Sequence, residues 1–379
     1  SASSEAGSAA NADFKVGAIY INSKNDTAGY TYAHHNGITK AMEELGMDPA
    51  SQLVIVDEVP DNDYDKIANA VDTLVASDCN IIFAISFGYM QAVADKAAEY
   101  PDVIFSHATG YMSNDTNFNN YFGRIYQARY LAGVAAGLKS LETGNNNIGY
   151  VSAYGTEYAE TCSGINGFTL GAQSVNPNAK VYVKELGAWA DEVNESAFAK
   201  ELIQNYNCGV ISQHCDSAQP QIAAQDAGVF GCGYNSDMTA DAPKAHLTAA
   251  VWHWNVYYHT AIQAAMDGKT IDADWTGTLQ TGSVVLTELN DAVAASGTAE
   301  KLEEVKAALE DGSLQVFDIN TFTVNGEKVE TFMADVDTDA DYTPDTEVIE
   351  NGAFQESTKR SAPYFTLQID GINLLDQAY

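Results

Sequence analysis

Cationic side chains are scarce in this chain. Lys and Arg together number 18 against 52 Asp and Glu, which gives a formal net charge of −34 over 379 residues. The only arginines are Arg124, Arg129 and Arg360. Nucleic-acid binding needs cations that replace the counterions of phosphates, and phosphorylated ligands are commonly clamped by Arg or Lys. The composition therefore argues against nucleic acid as a partner and favours an uncharged small-molecule ligand.

Long apolar runs and paired cysteines are also missing. Runs such as 81–85 fall far short of the roughly 18–20 residues that a membrane-spanning helix needs, so we expect no such helix. The five cysteines are odd in number and show neither a CxxC pair nor a zinc-ribbon spacing. We expect buried free thiols, with a single isolated disulfide bond as the alternative. Apolar residues still make up 46% of the chain, which is enough to build cores.

Signatures of common hydrolases are absent. The chain has no GxSxG nucleophile turn and no HExxH helix. His214 and Asp216 are spaced to orient one another for base catalysis, but no other motif completes such a site. His34 and His35 are adjacent at a predicted helix start and point to different faces, so we expect solvated histidines there. These observations predict a protein that is not an enzyme and that carries no cofactor.

The acidic stretch 335–341 imitates a calcium loop. Its sixth position is Ala340 where an EF-hand needs Gly, and its twelfth is Thr346 where an EF-hand needs Glu. We therefore interpret the stretch as a solvated acidic loop and predict no metal site, with a loosely bound divalent ion as the alternative.

Apolar strand-like runs alternate with segments of helical period. Ile38, Met42 and Leu45 form a helical stripe that Gly46 ends, and similar stripes follow most of the short runs. This alternation predicts βαβ units with a parallel sheet, and the plan starts near residue 16 and again near residue 148. We therefore predict an α/β protein with two doubly wound, Rossmann-like lobes and a ligand cleft between them. The predicted strands are 16–21, 53–56, 81–85, 103–105, 121–125, 148–151, 181–183, 209–212, 229–231 and 247–251.

The predicted domain organisation has four parts. Residues 1–12, rich in Ser and Ala, are expected to be a disordered leader or linker. The first lobe comprises 13–125 plus about 253–290, and the second comprises 126–252. Residues 291–379 are expected to form an acidic helix and hairpin region that packs on the lobes, with a turn at Asn325-Gly326.

Ligands of open parallel sheets bind beyond the carboxyl ends of the strands. The loops at those ends are rich in aromatic and hydrogen-bonding residues, which suits a flat heterocycle that is stacked on its faces and read along its edge. Two of the aromatics, Tyr30 and Trp189, lie among glycine, alanine and polar residues rather than in an apolar strand. The candidate ligand-binding residues are Tyr30, Phe87, His107, Trp189, His214, Asp216, Asn235 and Asp237.

Several motifs carry a resemblance to a known family. It is carried by six segments: 16–46 (VGAIYINSKNDTAGYTYAHHNGITKAMEELG), SFGYM at 86–90, FSHATGY at 105–111, ARYLAG at 128–133, GINGFTLGAQSVNP at 164–177 and GYNSDM at 233–238. They resemble the basic membrane protein family of substrate-binding lipoproteins of ABC importers, which have the type I periplasmic-binding-protein fold. The resemblance runs from about residue 14 to residue 268.

The resemblance implies capture of a purine base, a purine nucleoside or a related heterocycle outside the cytoplasmic membrane. By its match to the family motifs, Tyr30 stacks on the base, Trp189 matches the tryptophan of a second-lobe loop, and Asp237 matches the acidic residue of the GYNSD segment. Many relatives carry Trp at the position of Tyr30, and nucleoside-binding relatives carry a different first-loop motif. Whether ribose fits is therefore open.

The functional hypothesis is an extracytoplasmic, lipid-anchored, monomeric binding protein that delivers a purine or nucleoside to membrane-embedded ABC permease subunits. One alternative is a flavin-type ligand such as riboflavin. Another, from a different class, is a nucleoside-processing enzyme built on the same two lobes.

The charge balance generates a first prediction. Free purine bases and nucleosides should bind at least tenfold more tightly than the corresponding monophosphates, because the acidic chain repels the added phosphate and has few arginines to hold it. Calorimetric titration of matched base, nucleoside and monophosphate series measures this. Equal affinity across a series would contradict it.

Overall fold

Two separate sheets organise the chain in the computed structural model, which describes residues 12–377. The strands are β1 (Val16–Tyr20), β2 (Leu53–Val56), β3 (Ile81–Ile85), β4 (Ile104–Ala108), β5 (Phe118–Gly123), β6 (Asn147–Ser152), β7 (Lys180–Glu185), β8 (Val210–His214), β9 (Phe230–Tyr234), β10 (His246–Trp252), β11 (Asp274–Gly277), β12 (Val284–Leu286), β13 (Met333–Ala334), β14 (Thr346–Glu347), β15 (Ile349–Glu350), β16 (Ala353–Phe354) and β17 (Ile372–Gln377). The helices are α1 (Tyr30–Glu44), α2 (Pro49–Gln52), α3 (Tyr64–Ala76), α4 (Met90–Glu99), α5 (Ile125–Thr143), α6 (Ala159–Val175), α7 (Glu192–Tyr206), α8 (Gln219–Asp226), α9 (Trp254–Met266) and α10 (Thr298–Asp311).

The first sheet has the order β2-β1-β3-β4-β5-β11, and every neighbouring pair is parallel. Val16 of β1 aligns with Leu53 on one side and with Ile81 on the other. All residues of β1 and β3 are buried, as expected for strands that helices cover on both faces.

The second sheet has the order β12-β10-β9-β8-β6-β7-β17. Its pairs are parallel except at one edge, where β12 runs antiparallel to β10. The other edge is completed by β17 from the end of the chain, which pairs parallel with β7. The predicted α/β class with two parallel-sheet lobes is confirmed.

The chain crosses between the lobes at three places: between β5 and α5, between β10 and α9, and between β11 and β12. α5 packs on α6 of the second lobe, and α9 packs on α1 of the first. The return to the first lobe near residue 253 was predicted. The first-lobe segment was expected to end near residue 290, but it ends earlier, because β12 (Val284–Leu286) pairs with β10 in the second sheet.

Close contact between α5 and α6 explains two of the sequence motifs. A Cβ atom at Gly133 would collide with the carbonyl oxygen of Phe168, and one at Gly171 would collide with the carbonyl oxygen of Tyr130. Only glycine allows two helix backbones to approach this closely. The glycines of ARYLAG and GINGFTLGA therefore serve helix packing.

Residues beyond α10 join the two lobes. Ser361 donates its backbone N–H to Asp274 of β11 in the first sheet. A few residues later, the backbone N–H of Ile369 donates to Asn166 of α6, and the Asn166 side chain donates in turn to the carbonyl of Leu367. The segment therefore contacts β11 of the first lobe and α6 of the second before it ends as β17.

Other expectations fall in this last region and at the chain start. The turn at Asn325-Gly326 is present, with φ of 51° and 80° and reciprocal backbone bonds between Val324 and Glu327. All five cysteines lie among the described residues, and each is a buried free thiol. The predicted leader, apart from its last residue, lies outside the described residues.

Asn166 provides a stability test. Replacement by Ala leaves the buried N–H of Ile369 without its acceptor, so Asn166→Ala should lower the free energy of unfolding by about 1–3 kcal/mol. Gln173→Ala is the matched control, because its bond to the carbonyl of Asp370 is solvent-exposed and should contribute little. Urea unfolding measures both, and equal destabilisation by the two variants would refute the bridging role of Asn166.

Candidate functional site

A cavity of about 420 Å³ lies between the lobes, at the carboxyl ends of the strands. The loop after β1 and the turn after β3 line it from the first lobe, while the loops after β6, β7 and β8 line it from the second. Its lining residues are Ile21, Asn22, Tyr30, Ala33, Asp61, Ser86, Phe87, Thr109, Phe122, Tyr154, Tyr158, Glu160, Trp189, Asp216, Tyr234, Asn235, Trp252 and Trp254.

Aromatic rings form half of this lining. Trp189 has its ring centroid 5.6 Å from that of Tyr154 and 6.1 Å from that of Tyr158, both in edge-on geometry. Trp252 and Trp254 stack on one another at 4.2 Å. Such contacts hold the rings in place, so the aromatic wall is largely pre-formed.

Three carboxyl groups line the cavity, and none of the Lys and Arg side chains within residues 12–377 does so. Asp61 accepts a hydrogen bond from the Ser86 hydroxyl at 2.8 Å. Burial raises the pKa of Glu160 to about 7, an effect that nearby Arg129 opposes and Asp216 reinforces. Burial, with a contribution from Glu195, also raises the pKa of Asp216 to about 7. The cavity can accept hydrogen bonds from a ligand and disfavours an anionic one.

Five of the predicted residues come together in this cavity: Tyr30, Phe87, Trp189, Asp216 and Asn235. The first two lie in the first lobe and the other three in the second, as the two-lobe prediction requires. Burial raises the pKa of the Tyr30 hydroxyl far above its ordinary value, so this ring is neutral.

The remaining three predicted residues lie outside the lining. His107, on β4, is buried and donates a hydrogen bond of 2.7 Å from Nε2 to the carbonyl oxygen of Ser86. His214, the last residue of β8, is fully buried behind the cavity wall, beside Trp189. The side chain of Asp237 is 51% exposed and accepts the backbone N–H of Thr239, so it stabilises a local turn.

The expectation of solvated histidines in α1 is wrong for His34. Its side chain is fully buried, shares a 2.7 Å hydrogen bond with the Tyr258 hydroxyl and stacks on Trp254. Burial lowers the pKa of His34 to about 3, so the ring is neutral. α9 from the later part of the chain covers this face of α1, which a local helical pattern does not reveal.

Eleven polar or aromatic lining residues are missing from the candidates chosen from the sequence, among them Asp61, Tyr158, Glu160 and Tyr234. Asp61 lies in the loop after β2, and Tyr158 and Glu160 lie where the loop after β6 enters α6. The carboxyl-end rule, applied to every strand rather than to selected ones, would have found these three. Tyr234 is the last residue of β9, where a shorter strand had been predicted.

Two parallel-sheet α/β lobes with a cavity between them define the periplasmic-binding-protein class of fold. The chain belongs to the Bmp family, whose model, described as "ABC transporter substrate-binding protein PnrA-like", matches residues 14–314. The resemblance read from the motifs is thereby confirmed.

Two curated relatives carry different ligand names. The chain is 34% identical over 320 residues to "Purine-binding protein BAB2_0673" of Brucella abortus, a match that covers 82% of this chain and 85% of that protein. It is also 34% identical over 271 residues to "Putative ABC transporter glucose-binding protein TsgA13" of Haloferax volcanii. That match covers 71% of this chain and 66% of the relative.

Solved structures share the fold. A solute-binding protein of an ABC transporter system from Conexibacter woesei has a TM-score of 0.62 at 20% identity, covering 80% of this chain and 98% of its own. A transcriptional activator of the comK gene from Bacillus halodurans has a TM-score of 0.63 at 21% identity, covering 79% and 98%. Within residues 12–377, no helix has the length and apolarity to cross a membrane, and no His, Cys, Asp or Glu side chains group as metal ligands.

The raised carboxyl pKa values predict how stability depends on pH. Between their ordinary values and about pH 7, Glu160 and Asp216 hold protons in the folded state that the unfolded chain has lost. Their stabilising contribution is therefore lost as the pH rises from about 4 through 7. Relative to wild type, Glu160→Gln and Asp216→Asn should each gain a few degrees in melting temperature between pH 5 and pH 8.

Thermal unfolding at both pH values measures this gain. Glu192→Gln is the control, since Glu192 is also in the first turn of a second-lobe helix but is exposed. A melting-temperature difference that is independent of pH in all three variants would contradict the prediction.

Proposed function

We propose that this protein captures a purine base or purine nucleoside in the interlobe cavity and delivers it to an ABC importer, without chemical turnover of the ligand. The observation that carries the proposal is the cavity lining, in which the described part of the chain places aromatic rings from both lobes, three carboxyl groups and no Lys or Arg. Flat faces, hydrogen-bond donors along the edge and the absence of negative charge are the properties that this lining selects.

Stacking is the first part of the proposed recognition. Tyr30 begins α1 in the first lobe, and Trp189 lies in the loop after β7 in the second. A flat ligand between the two rings would be covered on both faces, and each contact would contribute about 1–3 kcal/mol, as base–aromatic stacking does elsewhere. Because the rings belong to different lobes, the ligand favours the closed arrangement over an open one.

Hydrogen bonding along the ligand edge is the second part. Asp216 and Glu160 are acceptors when ionised, while Asn235 offers both a donor and an acceptor. A phosphate would face these carboxyl groups without a cation to compensate for its charge. This arrangement supports the preference for uncharged ligands inferred from composition.

Two other ligands remain candidates on specific grounds. Sugar hydroxyls also donate to carboxylates and sugar rings also pack on tryptophan, and one relative carries the name of a putative glucose-binding protein. A flavin-type ligand is larger than a purine. The cavity volume of about 420 Å³ lies in the range of about 300–1,000 Å³ typical of small-molecule sites, which keeps a flavin among the candidates. The purine proposal rests more firmly on the relative that matches the larger share of both chains.

Family membership sets the cellular context. Substrate-binding proteins of ABC importers act outside the cytoplasm and hand their ligand to permease subunits. We propose that this protein does so as a monomer, tethered to the outer face of the cytoplasmic membrane by a lipid anchor.

The stacking clamp can be tested by fluorescence. The chain has four tryptophans, of which Trp275 does not line the cavity. Ligand should change tryptophan emission in wild type, and Trp189→Phe should remove most of that change with only a modest loss of affinity. Tyr30→Ala should weaken binding by roughly 5- to 100-fold while the emission change at saturation is retained.

Two controls accompany these variants. Trp275→Phe should leave the ligand-dependent change intact, and Tyr342→Ala, at a residue that is 83% exposed, should leave affinity intact. Mass spectrometry of small molecules released from the purified protein, followed by titration with purines, riboflavin and glucose, identifies the ligand. Wild-type affinity and emission response in both Tyr30→Ala and Trp189→Phe would refute the clamp.

A further inference from the structure

A line of buried groups leads from the cavity into the second lobe. Glu160 stands in the cavity wall with its side chain 15% exposed. Its Oε1 atom lies 4.0 Å from Nε2 of His214, which is fully buried. Arg129 of α5 lies beyond, with 2% of its surface exposed and its guanidinium 4.4 Å from the centre of the Tyr234 ring.

These groups leave buried polar atoms unsatisfied. Arg129 donates one nitrogen to the Tyr150 hydroxyl and to the Gln213 carbonyl, but its Nε and second terminal nitrogen have no acceptor in the described part of the chain. Neither ring nitrogen of His214 has a hydrogen-bond partner there. Each such atom costs about 1–3 kcal/mol, and uncompensated polar groups of this kind are concentrated at functional sites.

The backbone of α6 is shaped to accommodate this line. Gly164 follows Glu160 by one helical turn, and a Cβ there would approach within 2.9 Å of Cδ of Arg129 and 3.1 Å of Nδ1 of His214. A Cβ at this position would force the Arg129 side chain to shift and would crowd the ring of His214. The first glycine of the GINGF motif is therefore needed for Arg129 and His214 to lie beneath Glu160.

The Glu160 carboxyl group itself faces the cavity without a hydrogen-bonded protein donor among residues 12–377; the nearest basic atom is the His214 nitrogen at 4.0 Å. Asp61, by contrast, already accepts from Ser86. An ionised carboxylate only accepts hydrogen bonds, so its donors must come from the ligand.

We propose that Glu160 reads the hydrogen-bonding edge of the ligand, that Arg129 and His214 position it from behind, and that the site thereby selects heterocycles with two adjacent N–H donors. Two parallel N–H donors match the two oxygens of one carboxylate, as in other bidentate pairs. Guanine presents such an edge with its ring N–H and amino group, whereas adenine presents an acceptor beside a donor. The inference deepens the proposed purine binding and rests on it.

Glu160→Gln tests the selection directly. Glutamine keeps the size of the side chain but offers one acceptor and one donor, which matches adenine better than guanine. At pH 8, the variant should bind guanine roughly 10- to 100-fold more weakly than wild type, while adenine affinity should change by less than about threefold. Equilibrium dialysis with labelled guanine, adenine and glucose measures all three, and Glu192→Gln is the matched control at an exposed first-turn position.

Positioning by Arg129 has its own readout in the pH profile. Arg129 lowers the pKa of Glu160, so Arg129→Met should move the midpoint of the rise in guanine affinity to higher pH, and Arg129→Lys should restore it. Glu160→Gln should abolish the shift in the double variant. The other titratable groups facing Glu160 are His214, Asp216, Tyr30, Tyr158, Tyr234 and Glu356, which both variants retain.

The outcomes separate the inference from the proposed function. If wild type binds guanine but Glu160→Gln weakens guanine and adenine equally, or neither, Glu160 does not read the edge and only the inference fails. If wild type binds glucose and no purine, the proposed function fails and the inference fails with it. Should Arg129→Met not fold, the Glu160→Gln selectivity alone decides the edge-reading role.

Discussion

The parallel order of the two sheets is the constraint on which the site depends. In a parallel sheet all carboxyl ends lie on one edge, so the loops that follow successive strands are brought together regardless of their separation in the chain. The first-lobe loops near Asn22 and Phe87 and the second-lobe loops near Trp189 and Asp216 then face one cavity. Three crossings between β5 and β12 hold the edges opposite each other.

Two carboxyl groups of the cleft have a different environment from most acidic residues of the chain, because they are buried and their pKa values are raised. The net charge of −34 is mostly solvated, but Glu160 and Asp216 are carboxyl groups whose burial raises their pKa to about 7. Such burial costs free energy, and Arg129 offsets part of it for Glu160 without a direct hydrogen bond. The arrangement leaves hydrogen-bond acceptors free for a ligand in a cavity that no Lys or Arg of the described residues lines.

The residues beyond the family match at 314 contribute to the architecture rather than forming a separate appendage. Their backbone bonds to Asp274 near the first sheet and to Asn166 of α6, and β17 closes one edge of the second sheet. One edge of the second sheet is thereby covered, and this last segment contacts both lobes.

Local sequence patterns determined the fold class and the duplication of the lobes, because the spacing of apolar residues shows which face of each strand or helix is buried. The family was determined by short motifs, several of which contain glycine. Local patterns also placed Tyr30 and Trp189 beyond strand ends, and the structure brings both to the cavity, Tyr30 as the first residue of α1 and Trp189 in the loop after β7. Only the tertiary structure decided that His34 and His214 are buried and that Asp237 faces solvent, because the elements that cover or expose them come from distant parts of the chain. The role of Glu160 likewise depends on Arg129 and His214, which the packing of α5 against α6 and the end of β8 bring together. Contacts of this kind, made between separate elements across the second lobe, leave no periodic signal in any one segment.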